Sequence, residues 1–351
     1  MKKYLAIALL TLLTSCAPSN SSSPLNDTPT TTEPTSTVSH TSPKVYVSFV
    51  MHTEEEPHYE ENENMFKKTR AEILNFGNML HEEGVAFNFQ SDWTYLLAST
   101  KFDKGDESTN GKNLLRYFKE DLGFEIDPHG HETKYNYADI AYLINELGVK
   151  PSNIVGGYIA SPVKKSKFNY LLNEIKGNIY DFTWEAEALW GGGVGGHKNE
   201  SDLWASGIWN PKSAEDIMVD GGTLPNIGRY NSTWEGLDYL LTKDLDPNKI
   251  YTASVFISQG SISETDLNAF RAEIEKHKSD DRIEWVGLSE ALDIWASEYN
   301  SEPNTLIYDG TETGGKDEDT SSTSSESSVA SKKCGDGICQ EIEEKVCPED
   351  C

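Results

Sequence analysis

The chain has 351 residues, a formal net charge of −28 at pH 7 and a pI near 4.6. Nucleic-acid binding needs clustered Lys and Arg side chains for phosphate contacts, so this charge excludes it from the expected functions. The acidity favours solubility and attraction for cations, and we expect a monomer.

The first residues predict an export signal. Two lysines precede an apolar run from Tyr4 to Leu13, which is too short to span a bilayer as a mature helix. Small residues then lead into Cys16, a pattern similar to a bacterial lipoprotein signal. The resemblance implies that residues 1–15 are removed and that Cys16 is acylated, with an ordinary secretory signal as the alternative. We therefore expect an extracytoplasmic protein, anchored by lipid to the outer membrane or cell surface.

Composition then divides the remaining chain. Residues 16–43 are mostly Ser, Thr, Pro and Asn, which cannot bury enough apolar surface to offset the entropy of ordering, so they predict a flexible tether. Residues 44–308 carry aromatics and periodic apolar segments, enough for one large domain. An acidic, Ser-rich linker is expected at residues 309–333, before a Cys-rich module at residues 334–351.

Strands and helices alternate along the large domain. The predicted strands are "KVYVSFVMH", "VAFNFQS", "FEIDPHGH", "SNIVGGYIA", "IYTASVFIS" and "RIEWVGL". The predicted helices are "NMFKKTRAEILNFGNMLHEEG", "GKNLLRYFKEDLG", "NYADIAYLINELGV" and "SEALDIWASEY". This alternation is typical of parallel α/β architecture, and the number of units favours a distorted (β/α) barrel.

Histidines and carboxylates follow the predicted strands. In parallel α/β folds, ligands bind at the carboxyl ends of strands. The first strand ends at His52 and Glu54, the second at Asp92, and the third at His129 and His131. For any single histidine, a structural role is the alternative. Their convergence at one edge predicts a metal site.

The donor types suit a divalent ion. Residues i and i+2 of a strand point to the same side, and Gly130 allows the backbone between His129 and His131 to bend. Neutral imidazoles with a carboxylate bind Zn²⁺ and leave a position for water. We therefore predict that His52, Glu54, His129 and His131 hold a divalent metal, with zinc as the expected ion.

Further residues are candidates for proton transfer. Glu55 and Asp92 lie beside the predicted ligands and are candidate bases, although most acids in "EEEPHYEENENM" are expected to be solvated. His197 lies in "GGGVGGH", whose glycines suggest a mobile loop, and is the candidate general acid. Asp127 or Asp92 is expected to orient a ligating imidazole.

Tryptophans near the predicted loops suggest a sugar-binding groove. Trp93 and Trp209 are the candidate substrate-binding residues because sugar rings stack on flat aromatic faces. The alternative is that these large aromatics only cap the domain.

Three segments together resemble the polysaccharide deacetylase (NodB-homology) superfamily: "SFVMHTEE", "HGHE" and "SGIWNP". The family comprises metal-dependent carbohydrate esterases on a distorted barrel. The resemblance implies that His129 and His131 are metal ligands. The family's paired aspartates are absent here, and His52 and Glu54 are nearest to their place.

The expected function is therefore metal-dependent deacetylation of a polysaccharide at the cell surface. One alternative is a glycoside hydrolase, which needs two acids about 5–10 Å apart across a groove. Glu54, Asp92, Asp127 and Glu132 are available for that role. A second alternative is a non-catalytic, glycan-binding surface lipoprotein.

The C-terminal module holds four cysteines, Cys334, Cys339, Cys347 and Cys351. Outside the cytoplasm, four cysteines in so short a stretch predict two disulfides, whose pairing the sequence leaves open, with a zinc knuckle as the alternative. The segment resembles a small "CGDGxC…CPxDC" module of bacterial and archaeal surface proteins. Its acidic residues are candidates for Ca²⁺ binding or for solvated surface.

Overall fold

The computed structural model describes residues 40–54, 57–131, 134–158, 165–191, 205–258 and 262–309. The chain divides into Met1–Ser36 and Thr37–Cys351, and every described residue belongs to the second unit. The predictions for Cys16, for the tether before residue 40, for the linker after residue 309 and for the Cys-rich module lie outside the described residues. Within the described part of the chain, no helix combines the length and apolarity that crossing a membrane requires.

The described residues form a mixed α/β protein. The strands are β1 (Val45–Thr53), β2 (Phe87–Ser91), β3 (Glu125–Pro128), β4 (Ile154–Tyr158), β5 (Ile175–Lys176), β6 (Thr183–Trp184), β7 (Ala188–Gly191), β8 (Ala205–Ser206), β9 (Ile208–Trp209), β10 (Asn226–Gly228), β11 (Tyr251–Ser258), β12 (Ile283–Trp285) and β13 (Leu306–Ile307). The helices are α1 (Glu63–Glu82), α2 (Trp93–Phe102), α3 (Leu114–Glu120), α4 (Tyr137–Glu146), α5 (Lys165–Leu171), α6 (Trp234–Leu241), α7 (Glu264–Lys278) and α8 (Leu288–Glu298). Each predicted strand and helix overlaps one of these elements.

Two sheets consist mainly of parallel strands. The larger has the order β11-β1-β2-β3, all parallel, and β12 also pairs with the start of β1. The second has the order β4-β7-β10-β9, in which the first three strands are parallel and β9 is antiparallel. The predicted parallel α/β class is confirmed.

Contacts connect the two sheets at both edges. A parallel bridge between His129 and Gly156 links the residue after β3 to β4. At the other edge, the Ser254 N–H of β11 donates to the carbonyl of Arg229, the residue after β10, at 3.1 Å. The Thr252 hydroxyl donates to the Gly228 carbonyl at 2.7 Å. The carboxyl ends of β1, β3 and β4 therefore lie together.

Residues of β1 alternate between two apolar clusters. One set is Val45, Val47, Phe49 and Met51, which share a cluster with apolar residues of α1, α2 and α3. The alternate residues Tyr46 and Val50 join Ile154 of β4, Trp190 of β7 and Ile227 of β10. Every residue of β1 is buried. Burial on both faces explains why this strand is a nearly continuous apolar run rather than an alternating one.

Hydrogen bonds hold the start of α4 firmly in place. Asn136 and Asp139 form a reciprocal capping box at α4, with each side chain accepting from the other's backbone N–H at 3.1 Å. The Asp139 carboxylate also accepts from the backbone N–H groups of Asn178, Ile179 and Tyr180. These bonds hold the start of α4 against residues 178–180.

Candidate metal centre

The structure brings together the four predicted metal ligands. The Glu54 carboxylate lies among the three imidazoles, with Oε1 3.4 Å from His52 Nδ1 and Oε2 3.1 Å from His129 Nε2. The same Oε2 lies 2.6 Å from His131 Nε2. One ligand atom each from His52, Glu54 and His129 lies within 4.8 Å of the others, and these three residues could hold a metal ion.

The cluster has a buried floor and an exposed side. His52 and His129 are 6% and 3% exposed. Their rings stack with centroids 4.0 Å apart. By contrast, the His131 side chain is 43% exposed and the Glu54 side chain 33% exposed. A small ligand can therefore approach from the side of His131 and Glu54.

Hydrogen bonding fixes the tautomer of His129. Its Nδ1 lies 3.0 Å from the Gly156 carbonyl, which can only accept, so Nδ1 carries a hydrogen. In the neutral ring Nε2 then has a lone pair, and this lone pair faces Glu54. Two acceptors face each other at this point unless the ring is charged or a cation lies between them. The donor chemistry therefore fits a bound cation.

His52 presents a similar arrangement. Its Nε2 lies 2.6 Å from Gln90 Oε1, and its Nδ1 faces Glu54. Burial and the adjacent His129 lower the pKa of His52 to about 4. The ring is therefore neutral at pH 7, and its Nδ1 is available as a ligand. Two imidazoles and one carboxylate match the protein ligands of open zinc sites.

The Glu54 carboxylate is held in its ionised form. Burial alone would raise its pKa, but the three imidazoles of His129, His131 and His52 around the carboxylate outweigh that effect and hold the pKa far below its ordinary value. Glu54 thus supplies a permanent negative charge at the centre of the cluster.

Gly157 shapes the floor of the site. A Cβ built there would lie 2.6 Å from His52 Cε1 and 2.8 Å from His129 Cε1, and its φ is +68°. Neither Gly157 nor Gln90 is among the residues predicted from the sequence. Two adjacent glycines inside the apolar strand "SNIVGGYIA" are the available signal for Gly157, since they permit close approach of other groups. For Gln90 the available signal is a polar side chain near the carboxyl end of the predicted strand "VAFNFQS".

Asp92 has a structural role. It is completely buried and caps α2, with Oδ1 accepting from the Thr94 N–H at 3.3 Å. This cap gives Asp92 a structural role, and its predicted catalytic role stays a prediction. Asp127 is also completely buried and bonds to Gln90 rather than to a ligating imidazole. Asp127 is therefore connected to the His52 imidazole only through Gln90 among these contacts.

The two candidate sugar-binding tryptophans differ. Trp209 is completely buried, and its Nε1 donates to the Ile217 carbonyl at 2.7 Å. It has no exposed face for a sugar ring, so that prediction is corrected to a core role. Trp93 is half-buried and stacks on Tyr135 with centroids 4.9 Å apart. Its role in substrate binding stays a prediction.

Two predicted catalytic residues, Glu55 and His197, lie outside the described residues, as does Glu132. The described part of the site therefore consists of the candidate ligands His52, Glu54, His129 and His131 and of the residues that contact them.

Comparison with known proteins identifies no family. No protein-family model and no curated protein matches the chain. Among solved structures, the chain is similar to the 4-alpha-glucanotransferase from Thermococcus litoralis, with a TM-score of 0.48 and 13% sequence identity. That match covers 76% of this chain and 42% of the glucanotransferase, less than half of its length.

Proposed function

We propose that the protein is a metal-dependent hydrolase that acts on a carbohydrate, and that its reaction is deacetylation of a polysaccharide at the cell surface. The observation that carries the proposal is the arrangement of His52 and His129. Both are buried imidazoles whose hydrogen bonds leave one nitrogen each facing the Glu54 carboxylate. Such an arrangement is a ligand set for a cation.

The proposed fold is a distorted barrel of seven parallel strands, in the order β11-β1-β2-β3-β4-β7-β10. The bridge between His129 and Gly156 supports continuity from β3 to β4. The bond from Ser254 to Arg229 supports closure between β11 and β10. The cluster shared by residues of β1, β4, β7 and β10 is the expected filling of a barrel interior.

The proposed ligands lie on two sides of the site. His52, Glu54 and His129 would hold the ion from the buried side, and His131 would complete the site at its exposed side. When bound, a divalent ion would polarise a carbonyl oxygen and lower the pKa of a coordinated water. The burial of His52 and His129 excludes water from the floor, which strengthens electrostatic interactions there.

The glycoside hydrolase alternative has less support. Asp92 and Asp127 are completely buried, and three imidazoles contact Glu54. Of the four acids available for a pair across a groove, only Glu132 is left, and it lies outside the described residues. The geometry favours metal chemistry over paired-carboxylate chemistry.

A carbohydrate substrate is supported by two features. The half-buried Trp93 lies near His58, with ring centroids 5.7 Å apart, which suits a sugar-stacking surface. The resemblance of "HGHE" and "SGIWNP" to polysaccharide deacetylases gives the acetylated glycan as the first substrate class to test.

The test compares metal content and acetate release from acetylated oligosaccharides for the purified protein and for His129→Ala. We expect the parent to carry stoichiometric metal, to lose activity to a chelator and to regain it with Zn²⁺, whereas His129→Ala loses both properties. The control is His277→Ala. His277 is equally buried and bonds Asp238 on a different part of the protein, so its loss should leave metal content unchanged.

Two outcomes would contradict the proposal. Unchanged metal occupancy in His129→Ala would show that His129 is not a metal ligand and that the cluster has a structural role. Stoichiometric metal without hydrolysis of any acetylated glycan would favour the non-catalytic, glycan-binding alternative.

A further inference from the structure

The side of His52 that faces away from the proposed ion contacts Gln90. His52 Nε2 and Gln90 Oε1 are 2.6 Å apart, and both side chains are buried, Gln90 completely. An amide can present either its oxygen or its NH₂ group to an imidazole nitrogen. That choice decides which nitrogen of His52 carries the hydrogen.

The other end of the Gln90 amide determines its orientation. Its Nε2 lies 3.1 Å from Asp127 Oδ2, and Asn88 Nδ2 lies 2.9 Å from the same oxygen. The orientation of Asn88 is fixed in turn, because its Oδ1 accepts from the Leu288 backbone N–H at 3.2 Å. A backbone N–H can only donate, so the Leu288 N–H fixes which end of the Asn88 amide accepts and which end donates to Asp127.

The remaining partners of Asp127 are also donors. The Ser152 hydroxyl accepts from the Ile154 N–H at 3.2 Å, which leaves its hydrogen for Asp127 Oδ1. Burial and the neighbouring Asp127 raise the pKa of Glu125 well above its ordinary value. The raised pKa favours the protonated form of Glu125, whose O–H can donate to Asp127. Surrounded by donors, Asp127 acts as the acceptor that draws the NH₂ group of Gln90 towards it.

We propose that Gln90 is a positioning residue that holds His52 in the tautomer with hydrogen on Nε2, which leaves the Nδ1 lone pair for the metal. Asp127 sets the orientation of the Gln90 amide. The opposite tautomer would place an N–H on the ligand side of the ring, where it blocks coordination. This inference rests on the metal centre proposed above and assigns a role to a residue that does not touch the ion.

The backbone around Gln90 allows its amide to reach His52. A Cβ built at Gly156 would lie 2.8 Å from Gln90 Oε1, so a glycine at this position lets the amide reach His52. The bond from Gln90 to His52 spans β2 and β1, which pair directly at these two residues. Strand register therefore delivers the amide to the imidazole.

The test uses the full chain with three substitutions. Gln90→Met keeps the length of the side chain but removes both polar ends. Gln90→Glu, protonated beside the buried Asp127, keeps both an acceptor for the Nε2 hydrogen and a donor to Asp127. Ser152→Ala is the matched control, because it removes a different bond to Asp127 and leaves Gln90 intact.

Two measurements are made on each protein. Nitrogen-15 NMR of the metal-free protein reads the tautomer of His52, and competition with a chromophoric chelator reads the affinity for Zn²⁺. We expect Gln90→Met to lose the Nε2–H tautomer and to bind Zn²⁺ about 10–100-fold more weakly. Gln90→Glu should recover both properties, and Ser152→Ala should keep both.

The two proposals fail in different ways. A parent protein that binds no metal would overturn the proposed function, but the tautomer measurement still decides the role of Gln90. An Nδ1–H tautomer in the metal-free parent would overturn the positioning role without any substitution, even if Gln90→Met does not fold. An unchanged tautomer and unchanged affinity in folded Gln90→Met would do the same.

Discussion

Gly157 shows how one small residue determines the geometry of a site. It has a φ of +68°, and a Cβ built on it would lie 2.6 Å from His52 Cε1 and 2.8 Å from His129 Cε1, so a side chain at this position meets both imidazoles at once. Glycine is needed both for the backbone conformation and for the space.

We predict that Gly157→Ala lowers the stability by about 1–3 kcal/mol through overpacking and lowers the affinity for Zn²⁺. Gly84→Ala is the control, because Gly84 has a similar φ of +66° but no atom within 4 Å of the position that a Cβ would take. Urea unfolding and zinc titration would measure both effects. If the two variants bind zinc equally well, then a side chain at position 157 does not disturb zinc binding by His52 and His129.

Glu125 gives a prediction about pH. Burial and Asp127 raise the pKa of Glu125 well above the ordinary value of 4.5. The folded protein therefore binds more protons than the unfolded chain above that pH. The contribution of Glu125 to stability is fully present below about pH 4.5 and is lost as the pH rises through the folded pKa.

Glu125→Gln mimics the protonated side chain and should remove this dependence. We expect the variant to gain stability over the parent as the pH rises above 5, with the gain smallest at the acidic end. Thermal melting in the presence of a chelator would measure the difference without interference from metal. Melting temperatures that stay parallel across this range would show that Glu125 is not held protonated.

At the scale of elements, Asp92 shows that one residue can both follow a strand and begin a helix. The residue follows β2 and would be at the correct strand end for catalysis, but its side chain caps α2. Its backbone N–H also donates to Thr53 Oγ1 at 3.2 Å, which ties the cap to the end of β1.

Substitutions that keep or remove the cap separate the two roles. Asp92→Ser keeps a capping oxygen and should retain stability and hydrolysis, whereas Asp92→Ala should lose about 1 kcal/mol of stability. Unfolding curves and acetate release measure the two properties. A stable Asp92→Ser variant without hydrolysis would support Asp92 as a catalytic residue.

Elements differ in how well the sequence predicts them. The strands β1 and β11 are long apolar runs, and α1 has a regular apolar face, so local patterns are sufficient. By contrast, α2 is not predicted, and α7 in "ETDLNAFRAEIEKHK" is highly charged with a weak apolar pattern. The strands β8, β9 and β10 have only two or three residues each. Such short strands are defined by their pairing partners, and no period of two can be recognised over so few residues.

At the scale of the whole molecule, Thr252 connects β11 to two other parts of the chain. Its hydroxyl contacts the carbonyls of Gly228 and Gly207 at 2.7 and 3.1 Å. The Gly207 N–H also donates to this hydroxyl at 2.9 Å. The side chain is buried, so these backbone groups have no contact with bulk water.

We predict that Thr252→Val, which preserves shape, lowers the stability by about 1–3 kcal/mol because buried polar groups lose their partner. The metal site should be retained, because Thr252 lies at the opposite end of β11 from Ser258, the residue that pairs with His52. The control is Thr100→Val, which removes the hydroxyl of an exposed residue that donates to the Leu96 carbonyl within α2. Equal stability of the two variants would argue against a stabilising connection at Thr252.

The sequence by itself determined the alternation of strands and helices and the convergence of His52, Glu54, His129 and His131. Local periodicity marks the strands, and parallel strands place their carboxyl ends at one edge. Tertiary structure alone decided that Trp209 and Asp92 are buried and that Gln90 and Gly156 orient the two imidazoles. The partners of these imidazoles lie 38 and 27 residues away in the chain. A hydrogen-bond direction depends on which groups the fold places within about 3 Å of each other, and local pattern carries no information about such distant neighbours.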